Sequence, residues 1–202
     1  MQRFLLFIPF LLILAACNDQ EKPAEATTSK HSPAFNQSVD NALNSYYALT
    51  ESFVVWDSIS VPARAKELEL KIDSLQLGEL KKDSVVSSEA VAALASAKMV
   101  LRDIHEPNDL EFKRRQLNIL TQHFFDFLGA VRYDVQKVYL QECPMAFNDE
   151  EPGIWLSPGD SIRNPYLGMH HPYYGKGMLH CGDNKTKIDF TPKSGAEEKS
   201  NP

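Results

Sequence analysis

Apolar residues recur at intervals of three and four from residue 35 to about residue 132, and beyond that point the spacing stops. This spacing places apolar side chains on one face of an α-helix, so it predicts amphipathic helices that share a core. Four segments show it, and the breaks between them are short. Short connections favour antiparallel neighbours. We therefore predict a mainly α protein in which residues 35–132 form an up-and-down four-helix bundle.

Capping and breaking residues set the expected helix boundaries. The apolar stripe of the first helix consists of Phe35, Val39, Leu43, Tyr46, Leu49, Phe53 and Trp56. The second helix is expected to begin near Pro62, which suits a first helical turn, and to continue to Gly78. The caps that we expect for the third and fourth helices are Ser87 or Ser88 and Asn108 or Asp109. In the fourth helix, Leu120 and Phe124 lie on the apolar stripe.

The pattern changes after residue 132. Apolar runs at Val138–Leu140 and at Trp155–Leu156 predict two short strands, and the residues around them are rich in Gly and Pro. Helices do not run through such a segment. Residues 133–190 are therefore predicted to form a small loop-rich module with short β-strands, packed on the bundle.

Residues 1–16 have the composition of an export signal: Arg3 is followed by an apolar segment, Phe4–Leu14, that is too short to span a bilayer stably. The segment Leu14-Ala15-Ala16-Cys17 resembles the lipobox of bacterial lipoproteins. That resemblance implies cleavage before Cys17, acylation of Cys17 and anchoring to a bacterial membrane by the lipid. The mature chain is then expected on the periplasmic side or at the cell surface. The alternative is an ordinary secretory signal in which Cys17 has no special role.

The two ends of the mature chain contain few residues that can be buried. Residues 17–34 are predicted to be a flexible tether, and residues 191–202 a disordered tail. No second apolar run of membrane length is expected after the signal. The chain carries 21 basic and 27 acidic side chains, and this acidic balance argues against a nucleic-acid partner.

The module holds most of the soft ligands of the chain. The residues that we consider for metal binding are Cys143, Met145, Met169, Met178, His180 and Cys181. Cu(I) prefers thiolate and thioether sulfur and accepts imidazole. In an extended strand Cys143 and Met145 share a face, and Met178 and Cys181 can converge across one turn. The sequence therefore predicts a soft-metal site, copper first.

Four blocks of this module carry a resemblance: Cys143-Pro144-Met145-Ala146, Trp155-Leu156-Ser157, residues 162–166 and residues 178–182. Together they resemble the C-terminal signature of a family of exported domains of unknown function. That family occurs as lipoproteins and fused to periplasmic adaptor subunits of heavy-metal efflux pumps. The resemblance implies a helical bundle followed by the module, copper-type metal handling and a metal-efflux adaptor as partner. The chain departs from the family pattern at Leu167–Tyr174, which lengthens the loop.

The same two cysteines allow an interpretation without metal. Once Cys17 is acylated, Cys143 and Cys181 are the remaining thiols in a compartment where disulfides persist. A disulfide between them closes a long loop and is worth about 4 kcal/mol on the chain-entropy model. Met145 and Met178 then pack against aromatic rings. The protein is in that case a structural or interaction lipoprotein whose disulfide-pinned module docks a partner, and a redox-switchable combination is the third alternative.

Other residues of the module and the helices carry weaker signals. The aromatic residues of the module are Trp155, Tyr166, Tyr173 and Tyr174. They form either a platform for a sugar or peptide or the core of the module. His170 and His171 are expected to be exposed, and Lys113-Arg114-Arg115 is expected to be a solvated face. The sequence has no Gly-x-Ser-x-Gly, His-Glu-x-x-His or phosphate-loop motif, so it predicts no enzyme.

Overall fold

The computed structural model describes residues 28–192, so the predicted signal peptide, Cys17 and most of the predicted tail lie outside the described residues. The helices are α1 (Pro33–Val54), α2 (Ser60–Asp73), α3 (Ser84–His105) and α4 (Leu110–Ala130). The strands are β1 (Val138–Phe147), β2 (Glu151–Ser157) and β3 (Asp183–Ile188). The prediction of a mainly α protein with short β-strands near its C-terminal end is confirmed.

Helix α1 begins where the hydroxyl of Ser32 caps it, since Ser32 Oγ accepts the N–H of Phe35 at 3.2 Å. The helix ends at Val54. Trp56 follows with a left-handed backbone conformation, φ 58°. The prediction that Trp56 continues the helical stripe is wrong, because a left-handed residue after the last turn directs the chain away from the helix axis.

Helix α2 begins at Ser60, whose N–H and hydroxyl donate to the carboxylate of Asp57 at 3.0 and 2.6 Å. It ends at Asp73, and a separate 3-10 helix follows at Leu77–Lys82. The predicted continuation of the second helix to Gly78 is wrong. Apolar spacing alone does not separate these elements, because a 3-10 helix with three residues per turn buries side chains at nearly the same intervals.

Asp83 caps helix α3, and its Oδ1 accepts the N–H of Val85 at 3.0 Å. The predicted caps, Ser87 and Ser88, lie inside the helix and are therefore wrong. A carboxylate just before the helix satisfies the free N–H groups and also interacts favourably with the helix dipole. Helix α4 is capped by Asp109, one of the two residues predicted for that position.

Among residues 28–192, α3 alone is long and apolar enough to cross a membrane by length and composition, with a mean hydropathy of 1.4 over 18 residues. The prediction that no second apolar run of membrane length follows the signal is therefore wrong in composition. The structure packs α3 against α2 and α4, and 28% of that window is buried. Part of its apolar surface is thus used in helix contacts within the folded protein.

The helices and the sheet share one apolar core. Its larger members include Phe35, Leu43, Tyr46, Phe53, Leu68, Leu101, Leu117, Phe127, Leu128, Trp155 and Leu156. Leu120 and Phe124 are fully buried, which confirms the predicted stripe of the fourth helix. Phe124 stacks between Tyr46 and Phe127, with ring centroids 5.6 and 5.9 Å apart. Because residues from both parts contribute, the module has no separate core of its own.

The three strands form an antiparallel sheet in the order β2-β1-β3, so β1 is central. Strands β1 and β2 overlap the two predicted strands. Strand β3 was not predicted from the sequence, because residues 183–187 are exposed and Ile188 is its one buried residue. A strand exposed on both faces lacks the alternation of apolar and polar residues that identifies strands.

Helix side chains close the outer edge of β2. The N–H of Ile154 donates to Asn118 Oδ1 at 2.8 Å, and the N–H of Leu156 donates to the hydroxyl of Tyr46 at 3.1 Å. The hydroxyl of Tyr166 donates to the carbonyl of Ile154. These bonds satisfy backbone groups that a buried edge strand leaves free, and they attach the sheet to α1 and α4.

The segment before α1 is attached to the folded protein. Ser29 Oγ donates to Asp134 Oδ1 at 2.5 Å. The ring nitrogens of His31 lie 2.9 Å from Glu79 Oε1 and 2.8 Å from the carbonyl oxygen of Val131. The predicted tether of residues 17–34 therefore ends too late, because its last residues make polar contacts that composition does not reveal.

Candidate functional site

Cys143 and Cys181 lie side by side in the module. Cys143 is in β1 opposite Gly153 of β2 and is fully buried, whereas Cys181 lies just before β3 and is partly exposed. The two Sγ atoms are 3.0 Å apart, and both residues are free thiols in the structure. The structure therefore brings together the two sulfurs that both the metal and the disulfide interpretations require.

Asn164 holds the segment that carries Cys181. Its Nδ2 donates to the carbonyl of Cys181 at 2.9 Å, and its N–H donates to the carbonyl of Leu179 at 2.8 Å. Its Oδ1 accepts the N–H groups of Tyr166 and Leu167 at 2.8 and 3.0 Å. This fully buried amide connects the loop after β2 to the segment before β3. Sequence reasoning missed it, because an asparagine in a Gly- and Pro-rich segment is typical of any turn.

Gly182 allows the chain to pass directly against β1. Its backbone is in a conformation with φ 135°, and a Cβ built there lies 2.7 Å from the carbonyl oxygen of Glu142 and 2.9 Å from the ring of Trp155. Only a residue without a side chain fits this approach. Because Gly182 follows Cys181 directly, the approach places the Cys181 thiol against Cys143.

The environment of Cys181 favours the protonated thiol in the absence of a metal. Burial raises the pKa of Cys181 to about 12, and contact with Cys143 acts in the same direction. The nearby carboxylate of Asp183 raises it further. Reactive catalytic cysteines have lowered pKa values next to cations or helix N-termini, which is the opposite arrangement. Cys181 therefore does not have the environment of an activated nucleophile.

Met145 and Met178 are partly buried and pack against the core cluster that contains Cys143. The N–H of Cys181 donates to the carbonyl of Met178 at 3.0 Å, so these two residues close the turn that their spacing predicts. In β1, Cys143 is buried, Pro144 is exposed and Met145 is partly buried, a burial pattern that agrees with the predicted shared face of Cys143 and Met145. The register of β1 with β2 is irregular between Cys143 and Phe147.

The other two predicted ligands lie in different surroundings. The sulfur of Met169 is 3.8 Å from Nη2 of Arg163. His180 is exposed, and its Nδ1 lies 2.8 Å from the carbonyl oxygen of Ile162, which makes Nδ1 the protonated nitrogen and leaves a lone pair on Nε2. Within residues 28–192, no three His, Cys, Asp or Glu side chains are grouped so that they can hold a metal ion.

The four aromatic residues of the module separate into two groups. Trp155 and Tyr166 are buried with their ring centroids 6.1 Å apart in an edge-to-face contact, so they belong to the core. Tyr173 and Tyr174 lie in the loop that follows, where Tyr173 is 84% exposed. The interpretation of these four residues as one platform is therefore wrong, because two of the rings are buried in the core and do not reach the surface that Tyr173 and Tyr174 form.

Three residues, Lys113, Arg114 and His171, are less exposed than the sequence predicted. Arg114 is 2% exposed, and its guanidinium lies 3.7 Å from the centroid of the Trp56 ring. Burial lowers the pKa of Arg114 to about 10. The prediction that residues 113–115 form a solvated face is wrong for Lys113, which is 4% exposed, and for Arg114, which packs under the loop. His171 is half-buried and contacts Trp56, so the prediction of an exposed loop residue is wrong as well.

A cavity of about 440 Å³ lies between α1, β2 and the loop after β2. Its apolar walls include Val54, Leu156 and Ile162. Tyr47 also lines it, and the Tyr47 hydroxyl is buried without a hydrogen-bond partner among the described residues. His180 stands at the same cavity beside Cys181 in sequence. The cavity is therefore next to the segment that carries the thiol pair.

Comparisons with family models, with curated proteins and with solved structures found no match to this chain. The thiol pair and its surroundings are thus the basis for a functional assignment. The arrangement offers two sulfurs in contact, one of them fully buried, and thioethers in the same part of the core. It can hold a soft metal ion or close as a disulfide.

Proposed function

We propose that this protein is a membrane-anchored exported lipoprotein that binds or senses a soft metal, Cu(I) first, through Cys143 and Cys181, beside an efflux system. The 3.0 Å separation of the two Sγ atoms carries the proposal. Thiolate sulfur is the ligand type that Cu(I) prefers in proteins. The partly exposed Cys181 provides the route by which the ion reaches the buried Cys143.

The surroundings of the pair fit Cu(I) better than zinc. Structural zinc sites use four ligands, and among residues 28–192 no third His, Cys, Asp or Glu joins the two thiols to form such a group. Met145 and Met178 offer thioether sulfur in the same part of the core. Two thiolates with Cu(I) carry a net charge of one negative unit. A mostly apolar site tolerates this charge better than a larger net charge.

Metal binding at this pair must displace protons. Since the pKa of Cys181 is raised to about 12, this residue is a thiol at neutral pH when no metal is bound. A metal that binds the thiolate releases that proton, so affinity for Cu(I) is expected to fall as the pH falls. Met145 and Met178 do not titrate and add no pH dependence.

The second candidate is a structural or interaction lipoprotein without metal. The same Sγ contact favours it, because only a small movement separates these thiols from a disulfide that closes a loop between residues 38 positions apart. On the chain-entropy model such a crosslink is worth about 4 kcal/mol. The module then docks a partner as a rigid unit.

The test is a titration of the reduced protein with Cu(I) against a competing chelator. About one equivalent is expected to bind. Cys143→Ser and Cys181→Ser are each expected to abolish tight binding, and Met145→Leu and Met178→Leu are expected to weaken it. Met99→Leu is the matched control, because Met99 is an exposed methionine of helix α3.

Equal competition by the wild type and by the double cysteine variant contradicts the metal proposal. The second candidate then predicts that both cysteine variants lose similar stability under oxidising conditions, because each removes the same crosslink. Under reducing conditions the wild type and the variants are expected to differ much less. The methionine variants are then expected to lower the free energy of unfolding by less than about 1.5 kcal/mol, because leucine and methionine have similar volumes.

Membrane attachment through Cys17 and contact with a metal-efflux adaptor complete the proposal. The lipobox resemblance and the four family-like blocks support them. Cys17→Ser is expected to move the protein from the membrane fraction to the soluble fraction and to abolish labelling by a radioactive fatty acid. An unlabelled wild-type protein contradicts the lipoprotein assignment. No nucleic-acid partner and no enzyme activity are proposed.

We also propose that the four helices form an up-and-down bundle that supports the module. The end of α2 lies beside the middle of α3 in one groove, and the start of α3 lies beside the end of α4 in another. Gln76, after α2, donates its N–H to Ser38 at the start of α1. These contacts support antiparallel neighbours. Spin labels at Glu89 and Asp126 are expected to be close in an electron–electron distance measurement.

A further inference from the structure

A cleft of about 280 Å³ lies where the loop after β2 crosses the end of α1 and the β1–β2 turn. We call it the aromatic cleft. The side chains that decide its chemistry are Trp56, Glu111, Asp149, His171, Tyr173 and Tyr174. Among the described residues that line it there is no cysteine or methionine, so it is separate from the proposed metal site.

Aromatic rings follow one another along this cleft. His171 lies edge to face against Trp56 with centroids 5.4 Å apart, and it stacks on Tyr174 at 4.9 Å. Tyr173 meets Tyr174 edge to face at 4.8 Å. Apart from this contact, Tyr173 is 84% exposed, which leaves most of a large ring at the rim open to solvent. Exposed aromatic surface of this kind is typical of recognition sites.

The loop that builds the cleft is held in place. Met169 donates its N–H to the carbonyl of Val54 at 2.7 Å. Gly168 has φ 51°, and a Cβ there lies 2.5 Å from the same carbonyl oxygen, so the loop touches the end of α1. The hydroxyl of Tyr174 donates to Asp149 Oδ1 at 2.8 Å and joins the loop to the β1–β2 turn. The cleft is therefore preformed, which reduces the entropic cost of binding.

The polar groups of the cleft offer both a donor and acceptors. The Nδ1 of His171 accepts the N–H groups of Tyr173 and Tyr174 at 3.2 Å, so the neutral ring carries its proton on Nε2. Burial, together with Arg114, lowers the pKa of His171, which keeps the ring neutral at pH 7. Asp149 uses one oxygen for Tyr174 and has a second oxygen for a ligand hydroxyl.

The charges around the cleft disfavour an anion, and the ring of Trp56 is not free for a cation. The carboxylates of Glu111 and Asp149 line it and repel an anion. The guanidinium of Arg114 lies 3.7 Å from the Trp56 ring centroid, so this ring already holds a cation and disfavours a second one. A neutral ligand that has hydroxyl groups and an apolar ring face matches the aromatic surface, the acceptors and the donor at once.

We infer that the aromatic cleft binds a sugar ring, either as a free monosaccharide or as the terminal unit of a glycan. The apolar C–H face of the sugar packs on the tyrosine rings. Its hydroxyl groups donate to Asp149 and Glu111 and accept from Nε2 of His171. The small volume of the cleft favours one sugar unit.

The test is an NMR titration of the full lipidated protein in detergent with glucose, galactose, mannose and N-acetylglucosamine at millimolar concentrations. The chain has two tryptophans, so each indole N–H resonance can be assigned. At least one of these sugars is expected to shift the Trp56 resonance and to leave Trp155, in the core, unchanged. A β-linked disaccharide that binds more tightly than its monomer identifies a glycan end as the source.

Variants make the test specific. Tyr173→Ala removes an exposed ring and is expected to weaken binding about fivefold, the size of a typical aromatic contact. Asp149→Asn is expected to weaken it as well. Phe190→Ala is the matched control, because Phe190 is a partly exposed aromatic residue that packs on Arg132 away from the cleft. Two outcomes overturn the inference. One is a Trp56 resonance that shifts with tetramethylammonium and with none of the four sugars. The other is the absence of any sugar-dependent shift.

Discussion

The hydroxyl of Tyr46 in helix α1 accepts the backbone N–H of Leu156 in strand β2 at 3.1 Å. The same hydroxyl lies 2.7 Å from Thr121 Oγ1, and Thr121 donates its own proton to the carbonyl of Leu117. The Tyr46 proton therefore points to Thr121, and its oxygen is free to accept from Leu156. One buried hydroxyl thus joins α1, α4 and the sheet, and burial raises the pKa of Tyr46.

Replacing Tyr46 with Phe tests this junction. Tyr46→Phe leaves the N–H of Leu156 without a partner in the core, so the free energy of unfolding is expected to fall by about 1 to 3 kcal/mol. Tyr47→Phe is the matched control, because the buried hydroxyl of Tyr47 has no hydrogen-bond partner among the described residues. Removal of the Tyr47 hydroxyl is expected to leave the free energy of unfolding unchanged or to raise it. If denaturant unfolding shows that Tyr46→Phe and Tyr47→Phe lose equal stability, the Tyr46 hydroxyl does not join these elements as described.

Alanine substitutions at Gly168 and Gly175 distinguish the cost of backbone strain from the cost of a steric clash. Both have a positive φ, 51° and 54°, so alanine at either position strains the backbone by about 1 kcal/mol. At Gly168 the new Cβ also meets the carbonyl oxygen of Val54 at 2.5 Å, whereas at Gly175 no atom lies within 4 Å. Gly168→Ala is therefore expected to cost about 1 to 3 kcal/mol more than Gly175→Ala in thermal or denaturant unfolding. Equal effects show that the loop moves freely away from α1.

Phe124 and Ile119 test the orientation of helix α4. Phe124 is fully buried, and Phe124→Ala is expected to lower the free energy of unfolding by about 3 to 5 kcal/mol because it leaves a cavity. Ile119 is 44% exposed on the same helix, and Ile119→Ala is expected to cost less than about 1 kcal/mol. Unfolding of both variants by guanidinium measures the difference. A reversed order means that the helix is rotated.

Glu69 makes stability depend on pH. It accepts a hydrogen bond from Lys66 at 2.6 Å, and this bond, opposed by burial and aided by Arg102, lowers the pKa of Glu69. A carboxyl whose pKa is lowered in the folded state stabilises that state above its unfolded pKa, and this contribution is lost as the pH falls through the folded value. Glu69→Gln is expected to cost less than about 1 kcal/mol at pH 7, because both cationic partners are mostly exposed.

The difference in the free energy of unfolding between wild type and Glu69→Gln is expected to narrow as the pH falls below about 4.5, the ordinary pKa of glutamate, and to vanish once the pH lies below the lowered pKa of the folded state. Glu67→Gln is the control, since Glu67 is exposed and pairs with Arg64 within the same helix. The measurement is denaturant unfolding of the wild type and of both variants across the acid range. If the difference in the free energy of unfolding between wild type and Glu69→Gln does not change with pH, Glu69 has no electrostatic role.

Local signals predicted the helices well. The cap Asp109 and the stripe that contains Leu120 and Phe124 are correct, because capping and helical spacing depend on residues within a few positions of one another. Helix boundaries were predicted less accurately where a half-buried side chain continued the apolar spacing outside the helix. Trp56 kept the helical interval in sequence but lies beyond the end of α1 in a left-handed conformation.

The site was predictable in residue type and only partly in arrangement. Cysteine and methionine in a Gly- and Pro-rich module indicated the chemistry, and the turn from Met178 to Cys181 formed as its spacing predicted. The irregular β1–β2 register between Cys143 and Phe147 was not predictable, because it depends on how β1 pairs with another strand. The role of Asn164 also depends on groups that lie together only after folding.

The sequence by itself determined the helices, the first two strands and the residue types of the site, because spacing and composition act over short stretches of chain. Tertiary structure alone decided that Cys143 and Cys181 meet with sulfurs 3.0 Å apart, and that Arg114 and His171 enclose Trp56. These neighbours are far apart in the chain. Their contact depends on how helices and loops share one core, and the packing of that core sets distances that no local pattern encodes.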